Sequence, residues 1–280
     1  MLPVNRERRA TLIVYVVVSI FLIVDVLPLA WLVLSSVRET EAIAQQPWAV
    51  PTELHLENFR SAWETANLGI YFQNSIVIGL SATILAILFG AAAAYAVSYF
   101  TRYRRLSRYL YSYFLMGLVV PVNALLIPVY LLVNRIGVTD ARITLPVVYA
   151  AFTMSVTFYI LESFIRKIPR ELSESAVIDG CGVFNIFTRI VIPSATPALA
   201  TVFILNFLTN WNEFILALLL TGSVSERTVP VGLANFASQY QIQYGTMAAG
   251  VLMAIIPVII VFVVFQQYVV RGLTAGAVKG

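Results

Sequence analysis

The chain has 280 residues, of which 60% are hydrophobic and only 11% charged, with a net charge of +4. A soluble domain of this size carries about 25% charged residues, so the composition excludes a water-soluble fold and describes a polytopic membrane protein. One cysteine, Cys181, excludes an internal disulfide, and one histidine, His55, argues against a metal site or a histidine-based catalytic centre.

Arg6, Arg8 and Arg9 precede an apolar run at about 12–34. A signal peptide would have an apolar core of about 7–15 residues. This run is long enough to cross ~30 Å of hydrocarbon as a helix, so it reads as an uncleaved first span. Asp25 interrupts it and is a functional candidate by position, but Pro28 and Trp31 place the outer boundary close by, and a water-facing Asp25 fits equally well. Residues 36–73 form an extramembrane segment with Glu39, Glu41, Glu53, Glu57 and Glu64, turn residues Pro47 and Pro51, and Trp48 and Trp63 suited to a membrane interface or a small packed lobe.

The second span is expected at 74–100. Ala82, Ala86, Gly90, Ala94 and Ser98 recur every four residues, a small-residue ridge that lets two helix backbones approach. Arg102, Arg104, Arg105 and Arg108 follow as a basic loop. The third span, 109–133, contains Pro121 and Pro128. Proline removes a donor and bends a helix, and such kinks shape cavities, so Asn123 between them is a candidate cavity-facing group. A loop with Arg135, Asp140 and Arg142 leads to the fourth span, 143–165. Glu162 near its end lies beside a basic cluster and reads as a snorkelling or paired surface group.

Residues 166–193 are not apolar. Arg166, Lys167 and Arg170 introduce a stretch with Glu171, Glu174, Asp179 and Arg189, and its pattern predicts two short helices around a turn. Pro169 can start the first helix, and Glu171 and Glu174 suit its dipole. Gly180 and Gly182 break it and permit positive φ. Val183, Ile186, Phe187, Ile190 and Val191 follow helical spacing and give the second helix an apolar stripe; Pro193 ends it. An amphipathic hairpin of this kind either lies on the lipid surface or docks into a partner protein.

The fifth span, 196–220, holds Asn206, Asn210, Trp211, Asn212 and Glu213. Such polarity in a span needs other helices or water to face, so these residues make interhelical hydrogen bonds or line a polar pathway. Residues 221–245 are polar, with Gln239, Tyr240, Gln241, Gln243 and Tyr244, and the sixth span is expected at 247–270. The fold class is therefore all-α, one domain over 1–280 with six transmembrane helices.

Six spans put both termini on one face. That face would hold thirteen of the eighteen Lys and Arg residues, from Arg6 and Arg8 through the 102–108 and 166–170 clusters to Arg271 and Lys279. Arg38, Arg60, Arg135, Arg142 and Arg227 would lie opposite. The positive-inside rule makes the first face cytoplasmic, with the 166–193 hairpin on it.

Glu174, Ala176, Asp179, Gly180, Ile190 and Pro193 resemble the EAA loop of ABC-importer permeases, with Ser175 in place of the second-position Ala and Ile192 in place of Leu. Trp211-Asn-Glu-Phe214 and the tail Gly272-Leu-Thr-Ala-Gly-Ala-Val-Lys-Gly280 resemble the carbohydrate branch of that family, the smaller six-span permease of the maltose-type pair. The resemblance implies a bacterial inner-membrane subunit that works by alternating access. Its hairpin would be a coupling helix seated in a cleft of the ATPase, using Glu171, Glu174, Ala176, Asp179, Gly180, Val183, Phe184, Phe187, Ile190 and Pro193. Implied partners are a second related permease, an ABC ATPase dimer and an extracytoplasmic solute-binding protein that docks on the outer loops; membrane lipid surrounds the spans, and no nucleic acid is involved. No cofactor is expected on this chain, because ATP and Mg would be used by the ATPase, and no stretch fits Gly-x-x-x-x-Gly-Lys-Ser/Thr. Asn123, Asn206, Asn210, Trp211, Asn212 and Glu213 would line the substrate pathway.

The rival reading is a secondary transporter or channel. It would need coupling carboxylates and usually repeated halves; Asp25 and Glu213 are the deep candidates, and no convincing repeat links the halves. A membrane enzyme would need a nucleophile–base or metal constellation, and none is visible.

Overall fold

The computed structural model describes residues 4–64, 67–99, 104–138, 140–239 and 243–277, and every regular element among them is helical. Arg102, Tyr240, Gln241 and the last three residues of the tail, which figured in the expectations above, lie outside them. Four helices are long and apolar enough to cross a membrane, Thr11–Ser36, Leu68–Tyr99, Ala141–Ile165 and Tyr244–Tyr268. Two further pairs qualify only together, each sharply bent: Arg105–Val119 with Val122–Ile136 at 93°, and Val183–Ser194 with Thr196–Trp211 at 77°.

The helices in chain order are α1 (Val4–Ser36), α2 (Thr40–Gln45), α3 (Glu57–Glu64), α4 (Leu68–Tyr99), α5 (Arg104–Val119), α6 (Leu126–Ile136) and α7 (Ala141–Ile165). Then come α8 (Arg170–Ile178), α9 (Val183–Ile186), α10 (Ile192–Ser194), α11 (Thr196–Trp211), α12 (Ile215–Leu220), α13 (Val229–Gln239) and α14 (Tyr244–Ala277).

The proline-bearing third span is the clearest difference from the expectation. It is not a kinked helix but two helices joined by the 3₁₀ turn Val122–Leu125, with the break at Pro121. Pro128 does not bend α6, since it falls in its first turn, where a missing N–H costs nothing. The expected outer segments also carry helices: α2 and α3 lie within 36–73, α4 starts six residues earlier than the hydropathy suggested, and α13 occupies much of 221–245. The fifth span stops at Trp211 and resumes as α12.

The residues fall into two compact units, Met1–Leu68 with Leu233–Ile255, and Gly69–Gly232 with Ile256–Gly280. The first holds α1, whose residues from Leu12 to Leu29, the apolar ones and Asp25 alike, are all exposed. Beyond α1, Arg38 is 4% exposed and donates to the carbonyls of Ala42, Gln46 and Pro47 at 2.8, 2.7 and 3.2 Å. A buried guanidinium needs such acceptors, and here they terminate α2. Asn58 donates to the carbonyls of Ser36 and Arg38, tying α3 to the same corner.

In the second unit α4, α7 and α11 pack around two apolar clusters. The small-residue ridge performs as expected. Ala82, Ala86 and Ala94 are fully buried, and a Cβ on Gly90 would come within 2.7 Å of Thr157 Cγ2. At one end, Ile78, Ala82, Leu145 and Tyr149 pack with Leu216 and Ala217 of α12. At the other end, Ala91, Ala94, Tyr95, Phe158, Leu161 and Ile165 pack with Ala176, Ile186 and Val191 of the hairpin. The first end is tied further by Asn74, which donates to the carbonyls of Ser225 and Arg227 and accepts from Arg142.

Candidate functional site

The hairpin is built from a helix stop with a specific geometry. Pro169 precedes α8, and Glu171 lies in its first turn. At the far end the Cys181 N–H donates to the Ala176 carbonyl at 2.8 Å and the Gly180 N–H to that of Val177 at 3.0 Å. This pair of bonds requires a left-handed residue between them, and Gly180 supplies it with φ +80°. Gly182, expected to share that freedom, has φ −73°, which any residue adopts. The second arm does not end at Pro193 either. It runs through α9, a π turn at Phe187–Val191 and α10 before Ala195. The wider π turn accommodates a proline that has no N–H to give.

The arm's apolar stripe faces inward except at Val183. Ile186 is fully buried and Val191 is 3% exposed. Phe187 and Ile190 are half-buried against the same cluster, with the Phe187 ring 5.0 Å from that of Tyr95. The Tyr95 hydroxyl donates to the Val183 carbonyl at 3.3 Å. The root of the hairpin is thus part of the core of the spans. Its tip is not: Val177, Ile178 and Phe184 are 52, 85 and 75% exposed, and Val183 is exposed beside them. Glu171, Glu174, Asp179 and Pro193 are exposed, and Ala176 is buried beneath the turn. The ten hairpin residues therefore divide into a root, Ala176, Phe187 and Ile190, and an exposed set that includes Val183 and Phe184. Ile178, absent from the sequence reading, is the most exposed apolar residue of the tip; its position next to the Gly180 turn was the available signal.

Glu162 corrects the reading of a surface group. It is 3% exposed, and it is paired with Arg166 one turn on. The Arg166 guanidinium lies 6.0 Å from the centre of the Tyr111 ring. The ion pair thus sits where α5, α7 and the hairpin meet.

The polar residues of the fifth span are brought together in sequence but do not form one surface. Asn206 donates to Thr157 Oγ1 at 2.7 Å and Asn210 to Thr83 Oγ1 at 3.2 Å, bonds that tie α11 to α7 and α4. Both asparagines are buried. Trp211 is 3% exposed between Phe207 and Phe72. Asn212 is exposed and donates to the Leu208 carbonyl at 2.9 Å, closing α11. Glu213 accepts from the Leu216 and Ala217 amides at 2.8 and 2.9 Å, opening α12, and from the Tyr149 hydroxyl at 2.6 Å. Residues 211–214 therefore make a controlled break: one side chain caps the outgoing helix, the next caps the incoming one. Asn123 is exposed in the 3₁₀ turn. A cavity of 740 Å³ does occupy the angle of the bent pair, but apolar groups such as Phe114, Val129 and Phe152 line it, and Asn123 does not.

A family model described as "Binding-protein-dependent transport system inner membrane component" matches residues 86–275. The chain is 33% identical to the diacetylchitobiose uptake system permease protein NgcG of Streptomyces coelicolor, over 98% of its own length and 91% of that protein. It is 34% identical to the trehalose transport system permease protein SugB of Mycobacterium tuberculosis, over 91% and 92%. Its fold matches a chain in the crystal structure of a bacterial ABC transporter involved in the import of the acidic polysaccharide alginate, with a TM-score of 0.80 and 22% identity over 94% of this chain and 98% of that one.

Proposed function

The chain belongs to the family of binding-protein-dependent transport system inner membrane components, and on that premise we propose that it forms half of the translocation pathway for a carbohydrate, worked by a separate ATPase. It is a multi-pass membrane subunit of an ABC importer and not an enzyme. The carbohydrate class rests on relatives whose names specify diacetylchitobiose and trehalose uptake. The other half of the pathway would come from a second related permease. A solute-binding protein would deliver the sugar to the outer face, where residues 36–64 and 221–239 lie on the charge-based topology, with both termini in the cytoplasm.

The observation that carries the coupling role is the hairpin's division into buried root and apolar tip. Val177 and Ile178 before the Gly180 turn, and Val183 and Phe184 after it, are apolar and exposed, and an apolar patch at such a turn is of the kind that marks a protein interface. An ATPase cleft closed by ATP and Mg would grip that patch. Force applied there reaches α4 and α7 through Tyr95, Phe187 and Ile186, and α11 through the bent continuation at Ala195. Those helices would then rock to open the pathway alternately to each side.

The test is uptake by liposomes that hold the full chain with its co-purifying subunits. Transport that requires ATP, the ATPase and the binding protein is the expected result. Transport by this chain alone, driven by a proton or sodium gradient, overturns the reading. External labelling of a cysteine placed at Ile178 in sealed cells would overturn the topology separately.

A further inference from the structure

The angle between α5 and α6 encloses a cavity of 740 Å³ for which the coupling role has no use. Its third wall is one face of α7, where Ile143, Val147, Ala151 and Ser155 recur every four residues. Those residues cover about 18 Å along the helix axis, within the ~30 Å of hydrocarbon that such a span crosses. Asp140 caps α7 at one end and Arg166 follows it at the other, so the cavity lies between the two polar ends of the span. α5 runs antiparallel beside it: Phe114 stacks on Phe158, and a Cβ on Gly117 would come within 2.2 Å of Ser155 Oγ. No charged group lines the space. Tyr113, Thr144 and Ser155 bring the side-chain hydroxyls, and that of Thr144 is spent on the Val138 carbonyl at 3.1 Å.

The lining selects its occupant by polarity. A sugar placed there would leave most of its hydroxyls unpaired. A protein loop would bury backbone N–H and C=O groups without partners, which hydrocarbon does not tolerate. Water leaves an apolar cavity dry, and such a cavity takes apolar guests instead. We propose that this elbow binds one acyl chain of a membrane lipid as a defined site. The chain lies against Met116 of α5, Leu132 of α6 and Ala151 of α7, and fills the angle that the break at Pro121 opens. From there it holds α6, through Leu126 and Val129, against the cluster of Leu145 and Leu216. The site depends on the protein's place in the membrane and not on the coupling role or on which solute is carried.

The test reconstitutes the full chain and its co-purifying subunits with phosphatidylcholine that carries a photoactivatable diazirine in one acyl chain. Adducts formed on irradiation are located by peptide mass spectrometry, before and after dilution into unlabelled lipid. Leu88 of α4 and Val263 of α14, apolar and exposed, report the bulk membrane. After dilution, adducts at Met116, Leu132 and Ala151 should persist while those at Leu88 and Val263 disappear. Ala151→Phe, which fills the cavity, should abolish the persistent adducts, and Ala151→Ser, which leaves the space open, should keep them. Loss of all adducts in parallel in the unaltered protein would mean that only bulk lipid enters the elbow, and overturns the proposal. Persistent adducts unaffected by Ala151→Phe overturn it too. So does reaction of an Ala151→Cys variant, in a Cys181→Ser background, with a water-soluble maleimide in the intact membrane, or its crosslinking to the second permease. Either result would put water or protein where the chain should be. Because adducts are read independently of transport, failure of the coupling role leaves this result standing, and the reverse holds too.

Discussion

The hairpin tip and the break at residues 211–214 carry opposite kinds of mismatch with their surroundings. The tip sets apolar side chains against water: Ile178 and Phe184 are 85 and 75% exposed. The break sets polar side chains within a membrane-spanning region, yet each polar group has found a partner inside the chain. Asn206 and Asn210 bond threonines on neighbouring helices, Asn212 closes α11, and Glu213 opens α12. Groups satisfied at home build scaffold, whereas groups left unsatisfied await something else. By that criterion the tip is the interface, and the break is architecture that holds a span in two pieces.

Substitutions can break this contrast, and the largest expected effect is at Glu213. Glu213→Ala removes one carboxylate that accepts two α12 amides and the Tyr149 hydroxyl. It should cost about 3 kcal/mol of stability, read as a lower thermal midpoint in detergent and faster exchange of the Leu216 and Ala217 amides. A variant as stable as the parent but defective in sugar uptake would return Glu213 to the pathway. Phe184→Asp should weaken association with the ATPase by about 2 kcal/mol, roughly thirtyfold, and leave the thermal midpoint unchanged. A fall in the midpoint without loss of association would make the tip scaffold after all.

Gly180→Val comes next. A Cβ there meets nothing within 4 Å, so the penalty is backbone strain alone, about 1–2 kcal/mol. Assembly should survive while ATP hydrolysis uncouples from uptake, and Gly180→Asn, which tolerates positive φ, should restore coupling. Normal coupling in the valine variant would defeat the idea that the turn aims the tip. The smallest effect belongs to Asn206→Ala. Interhelical hydrogen bonds in membranes average only about 0.6 kcal/mol, so unfolding in mild detergent should shift barely beyond error. A large loss of transport with that small shift would show that Asn206 faces solute in some state of the cycle.

Much of the fold was legible because hydropathy and helix length are local properties. The four unbroken spans, the Ala82–Ser98 ridge and the left-handed glycine at position 180 all follow from residues near one another in the chain. What escaped was direction. Of the stripe Val183, Ile186, Phe187, Ile190 and Val191, the last four pack on one cluster and Val183 is exposed; periodicity does not say whether a face meets its own chain or a partner. Glu162 looked like a surface carboxylate because its buried surroundings come from helices remote in sequence. The 93° break at Pro121 looked like a kink because proline announces a lost donor, not the angle at which the chain resumes.

From the order of its residues alone, this chain is bound to be an all-helical membrane protein with a polar, glycine-broken hairpin between two spans. The reason is that burial in hydrocarbon obliges each backbone donor and acceptor to pair within its own helix. Tertiary packing decided which apolar groups of the hairpin remain exposed and which polar groups of the fifth span are already used. Both depend on which neighbours arrive from distant parts of the chain, and local spacing carries no record of them.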